Sequence, residues 1–139
     1  VMRTIVGFTG ASGVAYGVDF LRRCPGHKYL IASKWGKRVL HDELGLKAEE
    51  LRPWVDDIYN DNDLGAPFSS GSNHFDTLVI VPCSISTLAK IANGITCAVT
   101  VIRARCLTAG PLTMNFLLVA ITTMIRASAP NAMRAKVCW

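Results

Sequence analysis

The stretch Thr4-Ile5-Val6-Gly7-Phe8-Thr9-Gly10-Ala11-Ser12-Gly13 decides the fold. Its apolar run lacks the strict alternation of a half-exposed strand and reads as a strand buried on both faces. It delivers the chain into a small, hydroxyl-rich turn that opens a helix, and such a turn offers backbone N–H groups and Ser/Thr hydroxyls to an anion. The design recurs downstream, where Thr77-Leu78-Val79-Ile80-Val81 runs into Pro82-Cys83-Ser84-Ile85-Ser86-Thr87. A phosphorylated ligand is the expected occupant of such turns.

Outward from these points, strands and helices alternate. A strand over about Arg3 to Phe8 leads to a helix starting near Ser12 that carries Val14, Tyr16, Val18, Phe20 and Leu21, broken by Pro25-Gly26. Lys28 to Ser33 reads as the second strand, followed by a helix from Lys34 to Leu44 with Trp35, Val39 and Leu40 at helical spacing. A short, polar, exposed helix is expected over Ala48 to Val55, then a long loop from Tyr59 to Ser72. A third strand follows over Thr77 to Val81, a helix over Ser86 to Asn93 capped by Gly94, and a further strand within Phe116 to Ile121. This order predicts a parallel sheet with helices on both faces and its ligand at the carboxyl ends of the strands.

Composition bounds the function. The chain's 139 residues, 50% of them hydrophobic, suit one domain with an ample core. All ten carboxylates lie at or before Asp76, so the net charge of +5 belongs to the last 63 residues, which carry six Lys/Arg and no acid. No run of clustered basic residues with interleaved aromatics occurs, which argues against nucleic acid. The most apolar segment, Met114 to Ile125, is short of the roughly 20 residues a membrane-crossing helix needs. The five cysteines show no zinc-ligand spacing with any histidine, and an odd count without a secretory leader points to the cytoplasm. Cys83, with no basic partner nearby in sequence, reads as a small residue at a tight turn rather than a nucleophile.

The glycines of the first turn, Gly7-x-x-Gly10-x-x-Gly13, are not the dinucleotide fingerprint, and no Gly-Lys-Ser/Thr follows to make a P-loop. Thr9 and Ser12, Ser33 at the end of the second strand, and Ser84, Ser86 and Thr87 can converge on one crevice. That crevice is a plausible cradle for a mononucleotide such as FMN, although Ser and Thr also serve simply as helix N-caps.

Four motifs then become specific. They are Ile5 to Gly17, Ala32-Ser33-Lys34-Trp35, Pro67-Phe68-Ser69-Ser70-Gly71-Ser72, and Val81 to Gly94. Over about residues 2 to 96 the chain closely resembles the UbiX flavin prenyltransferases, a group that includes proteins called phenylacrylic or aromatic acid decarboxylase subunits. The resemblance implies an α/β fold, a flavodoxin/Rossmann-like three-layer sandwich with a parallel sheet. It further implies FMN bound at subunit interfaces of a homo-oligomer, trimer-based and up to a dodecamer. The implied reaction transfers a dimethylallyl group from dimethylallyl phosphate to reduced FMN, and the prenylated FMN serves UbiD-type decarboxylases.

By the same resemblance, Thr9, Gly10, Ala11 and Ser12 lie near the flavin, and Ser12 also reaches the prenyl phosphate. Ser33 contacts flavin, Ser84, Ser86 and Thr87 form the phosphate-binding strand end, and Glu43 is the active-site glutamate. Ser69, Ser70, Gly71 and Ser72 line the prenyl pocket, with Trp35 as an aromatic wall or, equally, a core residue. Arg103 stands in for the flavin-side arginine. No metal is implied. Beyond Gly94 the family's pattern is lost, so residues from about 97 to 139 are expected to be an atypical or truncated part of the single domain. A flavoprotein of the cysteine-decarboxylase branch and a non-catalytic flavin-binding module are the alternatives.

Overall fold

A computed structural model describes residues 1–63, 65–69, 73, 75–93, 95 and 115–117. Strand β1 spans Arg3–Phe8, helix α1 Val14–Arg23, β2 His27–Ala32 and α2 Lys34–Leu44. A 3-10 helix over Ala48–Trp54 leads to β3, Asp57–Asn60, and a second 3-10 turn covers Pro67–Ser69. Strand β4 is Thr77–Ile80, helix α3 Ile85–Ala92 and β5 Asn115–Leu117. The sheet has five parallel strands in the order β3-β2-β1-β4-β5. The order reverses direction at β1, where β2 follows on one side and β4 on the other. In such a sheet the switch point opens a crevice at the carboxyl ends of the strands.

The two faces of the sheet bury separate cores. Val6, Phe8, Leu30, Ala32, Val79 and Val81 point to one side, where Val14, Val18 and Leu21 of α1, Leu40 of α2 and Leu51 pack on them. The intervening Ile5, Ile31, Leu78 and Ile80 face the other side, against Phe68, Phe75 and the inner edge of α3 at Leu88 and Ile91. Alternating residues of one strand thus feed opposite layers, as a doubly covered parallel sheet requires. Gly17 lets α1 lie close on the sheet, since a Cβ there would stand 2.5 Å from the Val81 carbonyl oxygen and 2.6 Å from the Phe8 ring.

Several sequence expectations are corrected. The loop foreseen from Tyr59 begins inside a strand, because β3 pairs with β2 from Asp57 to Asn60. The helix over Ala48–Trp54 is a 3-10 helix with a buried side, Ala48 and Leu51 being sequestered. Tyr16 is 62% exposed and leaves the buried stripe of α1 to Val14, Val18 and Leu21. Trp35 is 67% exposed, which removes the core-packing alternative for it. The expected cap at Gly94, residues 118–121 of the last strand and nearly all of the segment from about 97 to 139 lie outside the described residues.

Candidate functional site

The hydroxyl-bearing turns after β1, β2 and β4 meet at one end of the sheet, held by hydrogen bonds between them. Thr9 is 3% exposed, and its Oγ1 donates to the Pro82 carbonyl at 2.8 Å while accepting the Ser84 N–H at 2.7 Å. The Thr9 N–H also reaches the Pro82 carbonyl, at 3.3 Å. On the other side, the Ser33 N–H donates to the Phe8 carbonyl at 3.0 Å. The turn after β1 is therefore tied to both neighbours, and the predicted convergence of Thr9, Ser33 and Ser84 is present in the molecule.

Each helix start uses its residues differently. At α2, Ser33 Oγ accepts the Gly36 N–H at 2.9 Å, the N-cap bond its position leads one to expect, and its own O–H has no partner among the described residues. At α3, Ser84 caps by accepting the Thr87 N–H at 3.3 Å, and its Oγ lies 2.9 Å from Thr87 Oγ1 and 3.3 Å from Ser86 Oγ. The Ile85 and Ser86 amides, first in α3, have no intrahelical carbonyl to bond. Three hydroxyls and two amides without an intrahelical carbonyl thus lie together at the start of α3, with no carboxylate bonded to them among the described residues.

Helix α1 starts in another way. Gly13 occupies its N-cap position in the left-handed region, φ 95°, and brings no side chain. The cap comes from α2: the Glu43 carboxylate accepts the Gly13 N–H at 3.1 Å on each oxygen and the Val14 N–H at 3.1 Å. A carboxylate at a helix N-terminus is favourably placed against the dipole. The amides of Gly13 and Val14 are consequently not open to a ligand, whereas Ser12, exposed and next to Gly13, has no side-chain partner among the described residues. Glu43 thus reaches the two residues that follow Ser12, and it does so as a helix cap.

Gly10 accommodates the root of Trp35, since a Cβ at Gly10 would fall 2.6 Å from Trp35 Cβ. Gly36 similarly lets the first turn of α2 approach the Phe8 carbonyl, a closeness that no side chain would permit. Ala11 donates its N–H to the Thr9 carbonyl at 2.9 Å and closes the tight turn. Cys83 is buried, and that burial pushes its thiol above the ordinary range, the wrong direction for a thiolate nucleophile. Among the described residues no group of three or more His, Cys, Asp or Glu could hold a metal, and no helix is long and apolar enough to cross a membrane.

A parallel sheet with its polar turns gathered at the switch point is a frame shared by many nucleotide-binding proteins, and the sequence match narrows it. The flavoprotein family model matches residues 2–128. The chain belongs to the flavoprotein family. The flavin prenyltransferase UbiX of Thermoplasma acidophilum is 48% identical over 95 residues, which are 68% of this flavoprotein and 53% of that relative. A dodecameric FMN-dependent UbiX-like decarboxylase from Escherichia coli superposes with a TM-score of 0.77 at 33% identity, covering 88% of this chain and 68% of that one. The structure of AnUbiX in complex with FMN and dimethylallyl pyrophosphate superposes with a TM-score of 0.70, also at 33% identity, covering 77% and 59%. This flavoprotein spans about half the length of the curated relatives it matches.

Of the remaining expected site residues, Arg103, Ser70, Gly71 and Ser72 lie outside the described residues, and Ser69 closes the 3-10 turn at Pro67–Ser69. Sequence reasoning missed Pro82 as the carbonyl partner of Thr9, and Gly36 as the residue that lets α2 approach β1. The signal for Gly36 was its place three residues after a capping serine.

Proposed function

We infer that this flavoprotein binds FMN in the crevice between the turns after β1 and β4. We infer further that it transfers a dimethylallyl group from dimethylallyl phosphate to the reduced flavin, supplying prenylated FMN to UbiD-type decarboxylases. The observation that carries this reading is the Thr9 hydroxyl bridge to Ser84, which fixes two hydroxyl-bearing turns side by side. The relative holding FMN and dimethylallyl pyrophosphate supports the ligand pair.

The donor set suits a flavin mononucleotide. Ser84, Ser86 and Thr87, with the amides of Ile85 and Ser86, would hold its phosphate by neutral donors, and Ser33 would add its free O–H. The turn Gly10-Ala11-Ser12 would lie along the ring. The flavin supplies the nucleophilic ring positions that become alkylated. Ser12 then donates its hydroxyl to the phosphate of the prenyl donor as that phosphate leaves, and Glu43 holds Ser12 in place by fixing the adjacent amides of Gly13 and Val14. By the family resemblance, the exposed indole of Trp35 and the segment from Ser69 to Ser72 would form the prenyl side of the pocket, where an aromatic face favours the positive charge that develops on the allylic carbon. Arg103 would stand on the flavin side.

The assembly is a homo-oligomer, trimer-based and up to a dodecamer, with sites at subunit interfaces. Exposed Tyr16 and Ile85, in the first turns of α1 and α3, support such an interface, and α3 has no fully buried residue. The protein belongs in the cytoplasm, in keeping with the free thiols of Cys24 and Cys83.

The test is reconstitution of the purified chain with FMN, then reduction and addition of dimethylallyl phosphate. A bound flavin heavier by one dimethylallyl unit is the expected product, and Ser84→Ala weakens FMN binding. Failure to retain FMN refutes the reading. Decarboxylation of a peptide ending in cysteine would point to the cysteine-decarboxylase branch, and bound flavin with neither reaction to a non-catalytic module.

A further inference from the structure

Away from the β1–β4 crevice, a groove of about 740 Å³ runs between the outer face of α2 and the residues that follow β3. Its α2 wall carries Lys34, Lys37, Arg38 and His41, at positions 0, 3, 4 and 7 of a single helical stripe, with Trp35 at its edge. Its other wall is Asn60, Asp61 and Asn62. The volume lies within the range of small-molecule sites, about 300 to 1,000 Å³.

Three features of the groove keep unused binding capacity among the described residues. Arg38 is neutralised locally by a two-oxygen pairing with Asp42, at 2.9 and 3.1 Å. Lys34 has no hydrogen-bond or ion-pair partner among the described residues, and Lys37 bonds only the neutral amide oxygen of Asn60. Asp61, on the facing wall, also has no partner among the described residues. The Trp35 indole is 67% exposed while its Cβ packs close to Gly10, so an apolar plate stands open at the groove's edge. An apolar plate, an acceptor-only carboxylate and two ammonium groups without a carboxylate partner match, in turn, a planar ring, a pair of sugar hydroxyls and a phosphate.

We propose that this groove is a second small-molecule site, adjoining the flavin site through the shared Trp35 indole, that takes a nucleoside monophosphate. The ring lies on Trp35, the ribose hydroxyls donate to Asp61, and the phosphate accepts from Lys34 and Lys37. Free purine nucleotides and a second molecule of FMN share this chemistry.

The experiment titrates AMP into the full-length protein already loaded with FMN, following tryptophan fluorescence and, independently, calorimetry. Expected is saturable binding of AMP with quenching that Trp35→Phe abolishes, Trp54 and Trp139 being the other two tryptophans. Trp35→Ala and Lys37→Glu should each weaken AMP by about tenfold or more, the equivalent of about 1.4 kcal/mol. Adenosine and inorganic phosphate should each bind at least about tenfold more weakly than AMP, since each lacks one of the matched parts. Additional FMN competing with AMP would identify flavin as the natural occupant, and failure to compete would assign the site to other nucleotides. The proposal is overturned if millimolar AMP gives no saturable signal, if inorganic phosphate binds as well as AMP, or if binding survives both Trp35→Ala and Lys37→Glu.

Discussion

Replacing Thr9 with valine separates a structural strut from a ligand-contacting hydroxyl. Valine has nearly the same shape, so the buried position is not hollowed out; what disappears is one donor and one acceptor. The Pro82 carbonyl keeps the Thr9 N–H as a partner at 3.3 Å, but the Ser84 N–H loses its only acceptor among the described residues, now 2.7 Å away. An orphaned, partly buried amide costs about 1 to 3 kcal/mol, so Thr9→Val should destabilise the fold by about 2 kcal/mol. For a domain of this size that corresponds to a fall in Tm of about 8 °C. Thr9→Ser retains both hydrogen bonds and loses one buried methyl, a cost of about 0.8 kcal/mol. Denaturant unfolding of the three proteins should therefore rank wild type above Thr9→Ser above Thr9→Val, and FMN titration should follow the same order because the Ser84 turn is released. Equal stability of Thr9→Val and wild type would refute the reasoning, and loss of FMN affinity without loss of stability would make Thr9 a direct flavin ligand instead.

The cap on α1 predicts that Glu43→Ala loses about 1 kcal/mol in denaturant unfolding, whereas Glu43→Gln, which keeps an acceptor oxygen and gives up the charge, loses about 0.3 to 1 kcal/mol. Gly17→Ala forces a methyl against the Val81 carbonyl and the Phe8 ring, and thermal unfolding should register about 1 to 3 kcal/mol of overpacking. Asp56 accepts from His27 Nδ1 at 2.9 Å and from the Lys28 N–H at 2.6 Å, and chiefly the His27 bond holds its carboxyl below the ordinary value of 3.8. A depressed folded-state value means that this stabilisation is complete above the unfolded value and fades as the pH falls through the lowered one. Asp56→Asn should thus cost less than about 1 kcal/mol near neutrality, the pair being largely exposed, with the difference vanishing in acid below the range where the carboxyl protonates.

Parts of this architecture are written locally in the chain and parts are not. β1 and α2 have the boundaries their residues announce, because a continuous apolar run and a capping serine act within a few neighbours. β3 escaped notice because Asp57-Ile58-Tyr59-Asn60 is polar at both ends, pairs only with β2 among the described residues and is only half-buried, Ile58 and Tyr59 packing on opposite cores, so its apolar pattern is too short to stand out. There burial, followed by the bond its hydroxyl donates to Asp57, pushes Tyr59 up to about 12. At the site, convergence of the strand ends was legible from the repeated design of the turns. The use of each group was not: Thr9 finds its acceptor and donor 73 and 75 residues away, and Glu43 caps a helix that begins 29 residues before it. Such partners are chosen by the register of the sheet, which no short window of sequence contains.

The placement of the hydroxyl turns on β1 has a thermodynamic consequence. β1 is paired on both edges and covered on both faces, so its amides belong to the part of the molecule that opens only with global unfolding. A ligand seated at its end meets a surface whose ordering was completed during folding. Association there forfeits little chain entropy, and amide exchange along Ile5 to Phe8 should be equally slow with and without the occupant.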